Sequence, residues 1–403
     1  SYSFAPASEG EPETPMTHPF RDVAIVGVHN TVQARQLPGH DSESIALEAS
    51  LGALEDAGIH PHEVDAVVSP FSQSLVLALR IGPSARWINQ LGIPAVVDAL
   101  NLIASGMATT VLIAAGGAGI YTDRSATAPW TRPANEFVVG YGLFTAGEFA
   151  LMARRHMLTY GTTPEQLATV AATIRNNGHV NPAAVYHGRG PFTPEDILAS
   201  RMVADPFHLL DCSTTSEGGC ALVLTTADRA ADLRHPPVWA LGAGSDSFGP
   251  AYQIAPAWDM RHPRADHVAG WVGRRASQTA YAMAGIGPDD VDVAEFYDPF
   301  SFEIIRQLET HGFCGEGEGG AFVEEGHIAP GGRLPVTTDG GTMSFSHAGI
   351  NAQQLQRVIR GVEQLRGTCA TAQVPDCEVA MCTNGGSGAL FNDVLLLGRE
   401  RPQ

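Results

Sequence analysis

Ala57-Gly58-Ile59-His60-Pro61-His62-Glu63-Val64-Asp65 and Ala284-Gly285-Ile286-Gly287-Pro288-Asp289-Asp290-Val291-Asp292 are one pattern written twice. Each reads as the end of a helix, a glycine stop, a proline turn and the start of a strand. Working outward from the first copy, Arg21–Gly27 is a short apolar run ending in glycine, which predicts a buried strand. Ser42–Gly58 has helical spacing, with Leu47, Leu51 and Leu54 on one stripe and Ile45, Ala49 and Ala53 beside it. Val64–Ser69 is the next strand, Ile93–Ser105 a helix of small residues, and Thr110–Ala115 a strand that runs into Gly116-Gly117.

Two further echoes follow in the same order. Ile103–Gly117 returns as Val362–Gly386, and Cys220–Leu224 after Gly218-Gly219 returns as Ala389–Leu397 after Gly385-Gly386. Strands alternating with helices predict an α/β fold, here a βαβαβ unit used twice with a site between the copies. The expected organisation is a disordered segment over 1–20, rich in Pro, Glu, Ser and Thr, then one half over 21–235 and another over 236–403. The first half is longer by an insertion over about 118–206, read as a cover for the site.

Composition narrows the function. The 403 residues carry a formal charge of −19, and no arginine cluster stands out, which argues against nucleic acid and anionic membranes as partners. No stretch of 18 clean apolar residues exists, so membrane insertion is not expected. All 24 basic residues are arginine. Without lysine there is no Schiff base and no phosphate-loop lysine, so carbonyl chemistry must use hydrogen bonds, a metal or another nucleophile. The six cysteines, Cys212, Cys220, Cys314, Cys369, Cys377 and Cys382, form no CxxC pair. A structural metal site is therefore not expected, and the thiols read as reduced, in a cytoplasmic setting.

Four stretches carry a resemblance: Asn176–Pro182 (NNGHVNP), Leu209–Gly219 (LLDCSTTSEGG), Glu295–Val323 (EFYDPFSFEIIRQLETHGFCGEGEGGAFV) and Leu334–Asn351 (LPVTTDGGTMSFSHAGIN). With the doubled AGIxPxxVD pattern, the chain resembles the thiolase superfamily from about residue 21 to its end. It is most like the thiolase domain of sterol carrier protein X and the lipid-transfer-protein branch. The resemblance implies a five-layered αβαβα fold, acyl-CoA thioester substrates, a homodimer and no permanently bound cofactor beyond the coenzyme A of the substrate.

Typical members use a nucleophilic cysteine at the start of a buried helix, an NEAF asparagine, a GHPxG histidine and a CxGxG cysteine. The nucleophile is expected near Asn89–Gln90, yet no cysteine occurs between residues 1 and 211. NEAF matches Tyr297-Asp298-Pro299-Phe300, GHPxG matches His347 with Ala348 in place of proline, and CxGxG matches Cys382-Thr383-Asn384-Gly385-Gly386. A sub-branch of retro-aldolases lacks the same nucleophile, has tyrosine at the NEAF position and works with an OB-fold partner protein. Its second tyrosine falls about where this chain has His347. The resemblance also points to Arg154, Arg155 and Arg189, in the insertion, as cations for coenzyme A phosphates.

The chemistry follows from the missing sulfur. Without a nucleophile no acyl-enzyme forms at that helix. What remains are groups that stabilise an enolate beside a thioester, the species that Claisen and aldol reactions share. The expected reaction is a retro-aldol cleavage. A donor at His347 stabilises the enolate, a contribution of roughly 2.7–4 kcal/mol for an oxyanion donor. Tyr297 takes the β-hydroxyl proton with the help of a relay through water or Asp298, or of a nearby positive charge, and Cys382 or His347 returns a proton to carbon. Each residue also has a structural reading: a core tyrosine, a cap for the helix Ser301–Thr310, a capping or core histidine, and an inert core thiol. The alternatives in function are a C-acyltransferase, with Cys382 or a partner supplying the nucleophile, and a non-catalytic acyl-CoA-binding subunit.

Overall fold

The computed structural model describes residues 17–82, 85–119, 145–247, 272–386 and 391–403. Residues 1–16 of the segment expected to be disordered, and 120–144 of the insertion, lie outside the described residues. The strands are β1 (Val23–Asn30), β2 (Ala66–Val68), β3 (Arg86–Ile88), β4 (Thr110–Gly117), β5 (Met202–Ala204), β6 (Phe207–His208), β7 (Gly218–Thr226), β8 (Val238–Ser247), β9 (Val293–Glu295), β10 (Val379–Gly385) and β11 (Phe391–Gly398). The helices are α1 (Ser42–Ala57), α2 (Ser72–Ala78), α3 (Gly92–Ala104), α4 (Thr145–Tyr160), α5 (Pro164–Val180), α6 (Pro194–Ala199), α7 (Ala227–Ala230), α8 (Arg274–Ala284), α9 (Ser301–Thr310), α10 (Gly319–Glu324) and α11 (Gly349–Arg366).

The duplication is explicit in the sheet. Nine strands run in the order β3-β2-β4-β7-β1-β8-β11-β10-β9. Read outward from the middle, β1-β7-β4-β2 and β8-β11-β10-β9 are the same path, with antiparallel, antiparallel and parallel pairings in turn. The halves join where Ala24 pairs with Trp239 and Ile25 with Val238.

Side-chain alternation along these strands builds the layers. Val23, Ile25, Val111, Ile113, Leu222, Leu224, Ala380, Leu395 and Leu397 point into one core shared with α3 and α11. Their neighbours Ala24, Val26, Leu112, Ala114, Ala221 and Val223 face α1 instead. Met381, Val394 and Leu396 face a third core built from α4, α5, α8 and α9. The order is thus α1, first half-sheet, α3 with α11, second half-sheet, outer helices.

The buried stripe of α1 is not the leucine one. Ile45, Ala46, Ala49, Ser50, Ala53, Leu54 and Ala57 are buried, whereas Leu51 is 50% exposed. The cause is close approach. A Cβ at Gly27 would lie 2.3 Å from the Ala53 carbonyl, and one at Gly116 would lie 2.2 Å from that of Ser42. A helix this near its sheet presents mostly small residues, here four alanines and a serine. The second copy repeats the device with Gly242 and Gly244 against the carbonyls of Ala280 and Ala276, each at 2.1 Å.

Candidate active site

The four stretches that carry the resemblance converge on one place. Asn177 of α5 donates to the carbonyls of Val336 and Thr337, and Asn181 to that of Asp339. Gly178 lies so close to Ser344 that a Cβ would sit 2.2 Å from its hydroxyl oxygen. Arg175, fully buried, donates to the carbonyls of Leu210, Cys212 and Met343. The NNGHVNP segment therefore clamps the 336–345 chain.

That chain leads to His347. Gly341–Phe345 forms a single wide π-turn, after which the His347 N–H donates to Ser216 Oγ at 2.7 Å. Ser216 Oγ also lies 3.0 Å from Ser346 Oγ, and Ser216 bridges Ala348. The serine-rich 213–216 segment thus aligns the start of α11, with the Thr214 N–H on the Thr342 carbonyl and the Ser213 N–H on that of Pro299.

Tyr297 leaves the end of β9 and is only 7% exposed. Its backbone is locked by a closed ring of hydrogen bonds. The Tyr297 N–H donates to Thr383 Oγ1, the Thr383 hydroxyl donates to Gln307 Oε1, and Gln307 Nε2 donates to the Tyr297 carbonyl. Its ring stands beside Gly385 at the end of β10, where a Cβ would come within 3.1 Å of it. The ends of parallel strands β9 and β10 are where a ligand crevice is expected in such sheets.

Asp298 does not cap α9, as the sequence suggested. The N-cap there is Phe300, with no side-chain cap, and Ser301 donates its hydroxyl to Asp211. Asp298 instead accepts the N–H groups of Thr342 and Met343. Its side chain points back across the π-turn because the chain leaves β9 directly over that turn. Burial pushes its carboxyl up to about 7, against the pull of Arg357 and the two N–H groups. It joins the tyrosine segment to the turn that precedes the histidine.

Cys382 is placed apart from these groups. It is 0% exposed, in the central core, and a Cβ at Gly361 of α11 would lie 2.6 Å from its sulfur. Cys382 and Gly385, three apart on one strand, face opposite sides of the sheet. Burial, with Glu295 nearby, raises its thiol well above the ordinary range, which works against a thiolate nucleophile. Arg154 is exposed and pairs with Asp205 at 3.7 Å, and Arg189 is stacked on Tyr186 at 5.0 Å. Arg155 is on α4 beside Arg154.

Sequence reasoning missed three residues. The helix read from Ile93 starts at Gly92, just after the Asn89–Gln90 stretch where a nucleophile was expected. Against Gly92 lie Asn384 and Gln354, with the Asn384 amide nitrogen 3.4 Å from Gln354 Oε1. Strand alternation from Cys382 would have found Asn384, two residues on and on the same face. Behind it Asp393, paired with Asn384 across the strands, is pushed up to about 6 by burial. Among the described residues, no cluster of three or more His, Cys, Asp or Glu could hold a metal ion.

Comparison with known proteins agrees with this architecture. Residues 259–399 match the thiolase C-terminal domain-like family. The chain is 32% identical over 402 residues to a steroid side-chain-cleaving aldolase of Thermomonospora curvata, covering 94% of this chain and 98% of that one. It is 33% identical over 388 residues to an acetyl-CoA acetyltransferase of Methanothermobacter thermautotrophicus, covering 92% and 97%. The solved Ltp2–ChsH2(DUF35) aldolase superposes with a TM-score of 0.82 at 30% identity, covering 94% of this chain and 99% of that one. With its doubled half-sheets, its central helix pair and these relatives, the chain belongs to the thiolase superfamily, as a thiolase-like enzyme of the sterol carrier protein and lipid-transfer-protein branch.

Proposed function

We propose that this enzyme is a carbon–carbon lyase that cleaves a β-hydroxyacyl-CoA by a retro-aldol step, without a covalent acyl-enzyme. The observation that carries the reading is the start of α3. Gly92 has no side chain to accept an acyl group, and Cys382 lies sealed in the core. The steroid side-chain-cleaving aldolase supports the same class.

In the proposed step, the Tyr297 hydroxyl takes up the β-hydroxyl proton as it passes its own proton into a relay that ends at His347. The Cα–Cβ bond breaks, and its electron pair passes into the thioester as an enolate. His347 donates to the enolate oxygen and then supplies the proton that Cα needs. The products are a shortened acyl-CoA and a ketone or aldehyde, so no oxidant or reductant is required. Asp298 holds the two segments in register. Arg154, Arg155 and Arg189 are proposed as cations for the coenzyme A phosphates, with Arg154 released from Asp205 on binding. The assembly proposed is a homodimer that takes a DUF35 partner, by analogy with the solved Ltp2–ChsH2(DUF35) aldolase.

The acetyl-CoA acetyltransferase relative favours a second reading, C-acyl transfer. The two separate in one experiment: the chain, alone and with a DUF35 partner, is given a β-hydroxyacyl-CoA that bears a tertiary alcohol. Ketone release supports the lyase. Acetyl transfer between thioesters supports the acyltransferase.

A further inference from the structure

The start of α3 carries an inference that rests on the lyase reading and deepens it. Gly92 has φ 67°, a left-handed conformation that strains any side chain. A Cβ built there would lie 2.4 Å from Asn384 Nδ2 and 2.4 Å from Gln354 Oε1. Both distances are far inside van der Waals contact. No side chain fits at residue 92 while these two amides keep their places.

The amides are buried and bonded to neighbours. Asn384 is 0% and Gln354 3% exposed. Asn384 donates toward Gln354 Oε1 at 3.4 Å and is hydrogen-bonded to Asp393, which Ser245 holds in turn. Asn384 and Asp393 are register partners on β10 and β11, so the strand pairing fixes the cluster. The family pattern, with cysteine at the helix start and glycine third in CxGxG, is reversed here. Glycine is at the helix start, and the side chain projects from Asn384.

We propose that Asn384, backed by Gln354, is the residue that sets the reaction class. Its amide fills the space a nucleophile would need, so the site is closed to covalent acyl transfer by a built contact and not only by the lack of a cysteine. Acyl transfer requires a thiolate at residue 92 to attack the thioester carbonyl. A carbon–sulfur bond to the enzyme forms as the bond to coenzyme A breaks, and the coenzyme A thiolate takes the proton lost by the enzyme thiol. With Asn384 in place that sulfur has nowhere to sit.

The test uses the full chain with acetyl-CoA, following free coenzyme A and the intact protein mass. Gly92→Cys is expected to remain unacylated, while Gly92→Cys/Asn384→Gly takes up one acetyl group at least about tenfold faster. Equal rates, or no uptake by the double variant, overturn the proposal. A stability cycle gives a second readout that needs no activity. Gly92→Ala lowers the melting temperature in the wild-type background and lowers it less in the Asn384→Gly background. Backbone strain is common to both arms, so equal losses overturn the proposed contact. A wild-type chain that cleaves no β-hydroxyacyl-CoA sinks the lyase reading instead, whatever these variants do.

Discussion

Asp298 and Thr342 are joined twice: the Thr342 N–H donates to Asp298 Oδ1 at 2.7 Å, and the Thr342 hydroxyl donates to the Asp298 carbonyl, also at 2.7 Å. This double tie crosses from the segment that bears Tyr297 to the turn that precedes His347. Asp298→Ala strips acceptors from two buried N–H groups, at a cost of about 1–3 kcal/mol for each unsatisfied group. Turnover of the proposed reaction falls by about 100-fold, since a misplaced group costs on that order. Equilibrium unfolding together with kcat measures both. An Asp298→Ala variant with normal kcat would show that the tie does not position the site.

Tyr297→Phe removes one hydroxyl and leaves the backbone ring through Thr383 and Gln307 untouched. The expected result is a loss of about 10²–10⁴ in kcat, the range for an acid–base group. The melting temperature stays close to wild type. Normal turnover in this variant removes the phenol from the mechanism.

Thr383→Val breaks that ring without touching the phenol. It leaves the Tyr297 N–H unpaired in a buried place, at a cost of about 1–3 kcal/mol, and leaves Gln307 Oε1 only its long bond from Asn392. The prediction is a lower kcat with KM little changed, because the tyrosine is displaced while the acyl-CoA still binds. A rise in KM alone would move Thr383 into substrate binding.

Cys382→Ala tests the acyltransferase alternative directly. The sulfur is core material, so the expected effect is a stability loss of about 1–2 kcal/mol and turnover within a few-fold of wild type. Alkylating reagents leave the native thiol intact. A large loss of activity, or fast alkylation at Cys382, would return it to the mechanism.

Stability also responds to pH through Asp393. Burial pushes its carboxyl up to about 6 in the fold, against about 3.9 in an unfolded chain. The native state therefore binds the proton more tightly, and this contribution is lost as pH rises from about 4 through 6. Asp298, pushed up to about 7, has the same sign over a wider window. Asp393→Asn should flatten the fall in stability between pH 4 and 6, as read by denaturant titrations. An unchanged slope would show that Asp393 is not the group that titrates.

Much of the fold was legible because backbone punctuation survives in sequence. The two AGIxPxxVD copies became matching 3₁₀ turns at Pro61–Glu63 and Pro288–Asp290, each leading into a strand. The helix Ser301–Thr310 was read to the residue. Of the two α1 stripes that spacing offers, Ile45, Ala49 and Ala53 are buried together with Leu54, a choice set by the approach of Gly27 and Gly116 that hydrophobic spacing does not encode. Asp298 was read as a local cap because sequence shows neighbours two residues away, not a turn more than forty residues on. Asn384 was missed because its meaning lies in Gly92, a distant residue with no side chain to notice.

The central claim is that the carbon–carbon bond breaks here with no acyl group ever bonded to the enzyme. The direct measurement is a single-turnover reaction of the chain, with its DUF35 partner, on a β-hydroxyacyl-CoA labelled in the acyl group, quenched in acid and read by intact mass. The account predicts free ketone and shortened acyl-CoA in equal amounts, with the protein unlabelled at every time point. Label on the protein that appears and decays at the rate of turnover would contradict it.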